Sequence, residues 1–229
     1  MILDERSSHT VNFCDRITLR CSRLSLLDMI KRFLELSITG FIAVIMAITP
    51  REYIKARLAL MFGDQTPKKV GRVSLNPFVH LDPIGTVTFI FLDFGWSRPV
   101  PIRPWNLRGK KKTFLFVSLS GPAVGVLCFV IYGYLANAAA VENKYVFETL
   151  YKAAKFSLTY SLFSLFPIPP LDGSKVLGAL LPENYTEWYL KYEVYGVLFM
   201  LALLVLWIMP LVMNPFVDFI DKLTNLVTS

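Results

Sequence analysis

Two short stretches hold ionisable side chains inside or beside apolar runs: Pro50-Arg51-Glu52-Tyr53-Ile54-Lys55-Ala56 and Leu171-Asp172-Gly173. Arg51 and Lys55 stand four residues apart, so on a helix they share one face. Glu52 lies between them. A carboxylate in such a place could act as a general base or bind a metal. Its neighbours could not help, because a guanidinium and an ammonium have no lone pair to give. The chain has two histidines, His9 and His80. His80 is a lone imidazole in a loop and reads as an ordinary hydrogen-bonding group. Ser161, Ser164 and Ser174 lie near Asp172 in sequence, but no histidine or lysine base is placed beside them. Lys55 as a base for one of them has nothing in the sequence to support it. The expectation is therefore electrostatic. An isolated charge in apolar surroundings is costly, so Arg51 or Lys55 should bond Asp172. Glu52 should cap a helix or pair with Lys55 at i, i+3. The plainer alternative is that both cations snorkel to an interface and touch nothing specific.

The elements that must position these groups are apolar. Of 229 residues 54% are hydrophobic, with a mean hydropathy of +0.50, too apolar for an ordinary soluble domain of this length. A bilayer-crossing helix needs roughly 20 apolar residues. Phe114–Ala140, Phe156–Leu181 and Val194–Val212 are long enough, and Phe33–Thr49 is borderline. The expected fold is an all-α integral membrane protein of about four main spans, multi-pass in the cell membrane. Net charge is +7, with Lys68, Lys69, Arg72, Arg98, Arg103, Arg108, Lys110, Lys111 and Lys112 clustered within Gly63–Thr113. Loop cations beside spans act as an orientation signal and meet anionic lipid, which places Gly63–Thr113 in the cytoplasm and makes a nucleic-acid partner unexpected. Arg6, Arg16, Arg20, Arg23, Lys31 and Arg32 pull against that orientation. Cys14, Cys21 and Cys128 make no disulfide framework and no CxxC pair. No cleavable signal is expected, since Asp4, Glu5, Arg6 and Asp15 precede any apolar core.

Residues 1–31 form a polar segment, with a surface helix suggested over Ser25–Leu36, and residues 32–229 form the membrane domain. Thr49-Pro50-Arg51-Glu52 has the pattern of a capping box, which predicts a helix start or a kink at Pro50. Ile84–Trp96 is apolar but too short to cross and has basic flanks, so a re-entrant or interfacial segment is expected inside the 63–113 insertion. Pro167-Ile168-Pro169-Pro170-Leu171-Asp172-Gly173 cannot be regular helix and must interrupt the third span. Pro215–Leu226 is an amphipathic tail expected on the surface.

Four blocks in order resemble the prokaryote-type site-2 proteases, which are intramembrane zinc metalloproteases. They are Pro50–Ala56, the run Gly63-Asp64-Gln65-Thr66 through Asn76-Pro77-Phe78-Val79-His80-Leu81-Asp82-Pro83-Ile84-Gly85-Thr86, the run Phe94–Pro101 leading to Ser120-Gly121-Pro122, and Pro167–Gly173. The resemblance covers about two thirds of the chain. It implies a site-2 protease-like core in which two histidines one helical turn apart and the aspartate of the Leu-Asp-Gly block bind zinc, while the intervening glutamate activates water. Here the glutamate and aspartate positions hold Glu52 and Asp172, but the histidine positions hold Arg51 and Lys55. Two asparagine positions of the family are occupied by Gly125 and Ser164.

The expected function is therefore a catalytically inactive homologue, a pseudoprotease with a degenerate zinc site and no predicted cofactor. Arg51, Glu52, Lys55 and Asp172 would form an ion-pair cluster, and Ser164, Pro167, Pro169, Pro170 and Gly173 would line a groove for a single-span membrane protein or peptide that is held without being cut. One alternative is an active intramembrane metalloendopeptidase with an atypical site, with Glu52 as its base. Another is a transport or proton-relay protein that uses the four charges as a pathway.

Overall fold

The computed structural model describes residues 26–92, 95–139, 143–169, 171–181, 195–196, 198–199, 202 and 208–228. Most of the polar 1–31 segment, two of the cysteines, Pro170 and most of the expected span at Val194–Val212 lie outside them. The chain divides into units Met1–Ile38 and Thr39–Ser229, and all core and site residues belong to the second. Helices dominate: α1 (Leu26–Met61), α2 (Thr66–Lys69), α3 (Pro83–Leu92), α4 (Lys110–Ala139), α5 (Lys144–Ser164), α6 (Asp172–Leu180) and α7 (Ile208–Thr228), with short 3-10 turns at Pro77–Val79 and Pro104–Asn106. The described residues contain no β-strand, only an isolated antiparallel bridge between Leu81 and Ser97.

α1 passes through Pro50 as a single helix, so the helix start expected there is not formed. Thr49 Oγ1 is buried and makes no hydrogen bond, and the Glu52 carboxylate accepts from Lys55 instead of capping. Packing explains the difference. Ala43, Val44, Ala47 and Ile48 before the proline, and Ala56 and Ala59 after it, are locked into two core clusters. Proline lacks the N–H that would bond the carbonyl four residues back. That carbonyl belongs to Met46, and it accepts from the Tyr132 hydroxyl of α4 at 3.1 Å. A tertiary contact thus supplies the donor that the local sequence removed.

α1 ends in a Schellman turn: Gly63 has φ 106° and the Asp64 amide donates to the Ala59 carbonyl at 3.0 Å. The buried Asp64 carboxylate then gathers the Thr66 amide (3.0 Å), the Arg103 amide (2.7 Å) and the Asn106 side-chain amide (3.1 Å). It fastens both ends of the long insertion to α1. Farther along, Asn76 accepts from the Phe78 amide, His80 Nε2 meets the Ser74 carbonyl at 2.8 Å, and Asp82 accepts from the Gly85 amide at the start of α3. In this fold the Asn-Pro-x-x-His-x-Asp block serves as a chain of turn and cap bonds. α3 sits in the core through Phe89, whose ring meets those of Phe156 and Tyr160 at 5.5 Å each.

Among the described residues, α4 is the one helix long and apolar enough to cross a membrane. It packs on α5, α6 and α7. The expected third span is two helices, α5 ending at Ser164 and α6 beginning at Asp172, with the proline-rich turn between them. α7 is not a detached surface helix: Val217, Ile220 and Thr224 are buried, it packs on α4 and α5, and Asp221 pairs with Lys155 of α5 at 2.9 Å.

Candidate functional site

Arg51, Glu52 and Lys55 face inward from α1 and meet Asp172 at the first residue of α6. Their exposures are 1%, 0%, 2% and 4%, too low for water to solvate the charges, so they must satisfy one another. Lys55 Nζ stands at the centre. It lies 2.8 and 2.9 Å from the two oxygens of Asp172 and 3.1 and 3.0 Å from those of Glu52. Arg51 Nη2 donates to Asp172 Oδ2, and its Nε makes an ion-pair contact with Glu52 Oε1 at 3.3 Å. The cluster is neutral, with two cations facing two carboxylates.

The walls come from three other segments and from α6 itself. Tyr160 of α5 lies under Arg51, with the guanidinium carbon 3.8 Å from the ring centroid, a cation–π stack removed from water. The Tyr160 hydroxyl accepts from the Ser97 amide at 3.1 Å and forms a hydrogen bond with Ser97 Oγ at 2.6 Å, which ties the ring to the loop after α3. Gly121 of α4 closes the opposite side, where a Cβ would lie 2.6 Å from Lys55 Cε and 3.0 Å from Asp172 Oδ2. Lys175, one helical turn into α6, donates to the Val100 carbonyl at 3.2 Å. The space left, bounded by Glu52, Lys55, Trp96, Ser97, Tyr160 and Asp172 among others, is about 10 Å³. That is room on the order of one water molecule.

The other expected residues fall around this cluster. A Cβ on Gly125 would overlap Ser161 Oγ, so the position that departs from asparagine is filled by a close approach of α4 and α5. Ser164 is buried and donates to the Ser161 carbonyl at 2.9 Å. Gly173 packs directly on the Leu165 and Phe166 backbone. Pro167 is exposed and Pro169 half-buried, and Pro170 lies outside the described residues. The expected groove is thus mostly a tight chain reversal. Three prolines in it carry no N–H, and the Leu165, Phe166 and Leu171 amides bond to Leu162, Phe163 and Ile168 carbonyls. Little donor capacity remains for an added strand.

The roles of Tyr160, Ser97, Gly121 and Tyr132 were not legible in the sequence. In the sequence Gly121 stands out only as part of the Ser120-Gly121-Pro122 block. Nothing in the chain order sets Tyr160 opposite Arg51.

Zinc at this position would need three protein donors with free lone pairs. Arg51 and Lys55 have none, and Lys55 engages both oxygens of Asp172. His80 directs Nε2 to the Ser74 carbonyl. Among the described residues no group of three His, Cys, Asp or Glu side chains could hold a metal. The residues present do not fit the ion.

The chain belongs to a zinc metalloprotease family. The relative that places it there is "Putative zinc metalloprotease YwhC" of Bacillus subtilis (strain 168), 34% identical over 172 residues that cover 72% of this chain and 78% of that protein. No family model and no solved structure matches the chain.

Proposed function

We propose that the chain is a catalytically inactive member of its family, a site-2 protease homologue embedded in the cell membrane. The observation that carries this reading is the position of Lys55 Nζ, within 3.1 Å of every oxygen of Glu52 and Asp172. The carboxylate that would activate water and the carboxylate that would hold the metal are bound to one ammonium. Two cations supply the positive charge that a dication would otherwise bring to the site.

The alternatives draw less support. A serine hydrolase would need a free hydroxyl, yet Ser161, Ser164 and Ser174 donate to the Ser157, Ser161 and Leu171 carbonyls. Lys55 as an ammonium between two carboxylates has no lone pair with which to act as their base. A charge relay would need a connected polar path, and the space beside the cluster is about 10 Å³.

The test is metal content and peptide cleavage of the detergent-purified protein, beside the Arg51→His/Lys55→His variant. The wild type is expected to carry no stoichiometric zinc and to cut nothing. The double variant, with imidazoles flanking Glu52 and facing Asp172, is expected to take up about one zinc per chain. Stoichiometric zinc or zinc-dependent cleavage in the wild type would sink the proposal.

A further inference from the structure

The cations at the two ends of α4 are treated differently. Beyond its C-terminal end they are matched: Lys144 pairs with Glu148 at 3.9 Å, Lys152 donates to Thr39 at 2.6 Å, and Lys155 meets Asp221 at 2.9 Å. At the N-terminal end, Lys68, Lys69, Arg103, Arg108, Lys110 and Lys112 are all exposed. Asp64, four residues before Lys68, is buried and spent on three N–H donors. Its negative charge is therefore turned inward, away from the surface they form.

The six cations are also held together. The Asp64 bonds fix α2, which carries Lys68 and Lys69, beside the turn carrying Arg103. The Arg108 amide donates to the Phe62 carbonyl at 2.7 Å, and the Lys110 amide to the Leu107 carbonyl at 3.0 Å. Gly109 at φ 85° and Lys110 at φ 46° turn the chain sharply into α4. From Thr113 to Ala139 that helix carries no charged residue. At 1.5 Å per residue this uncharged stretch is about 40 Å long, enough for a hydrocarbon core of about 30 Å. The basic rim therefore lies at the level of one leaflet's phosphates. Trp105, exposed and with Arg103 6.0 Å from its ring, occupies the same level, where amphipathic indoles favour the interface.

We propose that this rim is a docking surface for anionic phospholipid headgroups, their phosphodiesters taken by Lys68, Lys69, Arg103, Arg108, Lys110 and Lys112 with Trp105 at the glycerol level. The proposal rests on the membrane reading of the chain. Charge complementarity selects the occupant, since a zwitterionic headgroup brings its own cation and gains little here.

The test titrates phosphatidylglycerol, phosphatidylcholine, inorganic phosphate and an RNA oligonucleotide into the detergent-purified full chain, following bound lipid by native mass spectrometry and the unfolding midpoint. Phosphatidylglycerol is expected to bind and raise the midpoint, and to weaken with salt. The variant K68S/K69S/R108S/K110S is expected to bind it at least about tenfold more weakly, as four interfacial cations are lost. Equal stabilisation by phosphatidylcholine, or equal binding of free phosphate or RNA, overturns the proposal. So does unchanged binding by the quadruple variant. Alkaline carbonate extraction separates the two layers: a chain that stays in the membrane pellet but shows no lipid preference sinks only this inference, whereas a chain released to the supernatant sinks the membrane reading as well.

Discussion

Removing a carboxylate from the buried cluster is not a neutral change, because Arg51 and Lys55 both lean on Asp172. Asp172→Asn leaves an excess positive charge in a buried site with room for about one water molecule. Such a break in a buried ion pair costs about 3–5 kcal/mol. Thermal or denaturant unfolding in detergent should show a loss of that size, and adding Lys55→Met should recover part of it by restoring neutrality. An unchanged midpoint for Asp172→Asn would mean that the cluster does not stabilise the fold. At this scale the sequence was informative. Opposite charges in apolar runs with no other partners pointed to one another, and the structure brings all four together. What it added is the sharing: a single ammonium serves both carboxylates, and Arg51 uses the face of Tyr160 as well as its N–H groups. These follow from the positions of α1, α5 and α6, which residue types alone do not set.

Between elements, the informative contacts repair what the local sequence breaks. Pro50 removes one backbone donor from α1, and the Tyr132 hydroxyl of α4 replaces it at the Met46 carbonyl. Tyr132→Phe should therefore destabilise the chain by about 0.5–1.5 kcal/mol, the net worth of this part-buried hydrogen bond, which chemical unfolding would read. A value indistinguishable from wild type would show that the carbonyl finds another donor. The α4–α5 contact is similarly specific. Gly125→Asn places a Cβ on Ser161 Oγ, and overpacking of this kind costs about 1–3 kcal/mol. Adding Ser161→Ala should return part of that loss, and full additivity of the two changes would argue against a direct clash. The helix start expected at Pro50 is not formed, for a definable reason. A Thr-Pro-x-Glu pattern favours a helix start when nothing else acts, but the apolar faces on both sides of it are each buried in a core cluster, and tertiary packing outweighs a cap. Sequence reading was right just before Asp172, where three prolines within four residues remove more N–H donors than a single tertiary contact can replace, although Asp172 and Gly173 themselves belong to α6.

At the scale of the whole molecule, stability depends on loops that the insertion folds back on α1. Burial drives the His80 imidazole below its usual 6.5, against its bond to Ser74 and the nearby Glu52 charge, with Arg72 and Lys55 adding to the depression. The folded state thus binds its proton less readily than the unfolded chain. The stabilisation is complete above 6.5 and is lost as pH falls from there through the folded value. Asp64 is also buried, yet its hydrogen bonds from Thr66, Arg103 and Asn106 hold its carboxyl below 3.8, so its contribution disappears only under strong acid. The unfolding midpoint should fall between pH 7.5 and pH 5, and His80→Gln should flatten that part of the profile. An equal fall in the variant would assign the effect to other groups. The sequence by itself determined the apolar character of the chain, the uncharged length of α4, the break before Asp172 and the absence of lone pairs at positions 51 and 55, because composition and covalent chemistry act without reference to distant partners. Only the tertiary structure decided that Pro50 lies within one helix, that Tyr160 and Gly121 enclose the charges, and that Asp64 turns its carboxylate inward from the basic rim, because each depends on which residues far apart in the chain are packed within a few ångströms of one another.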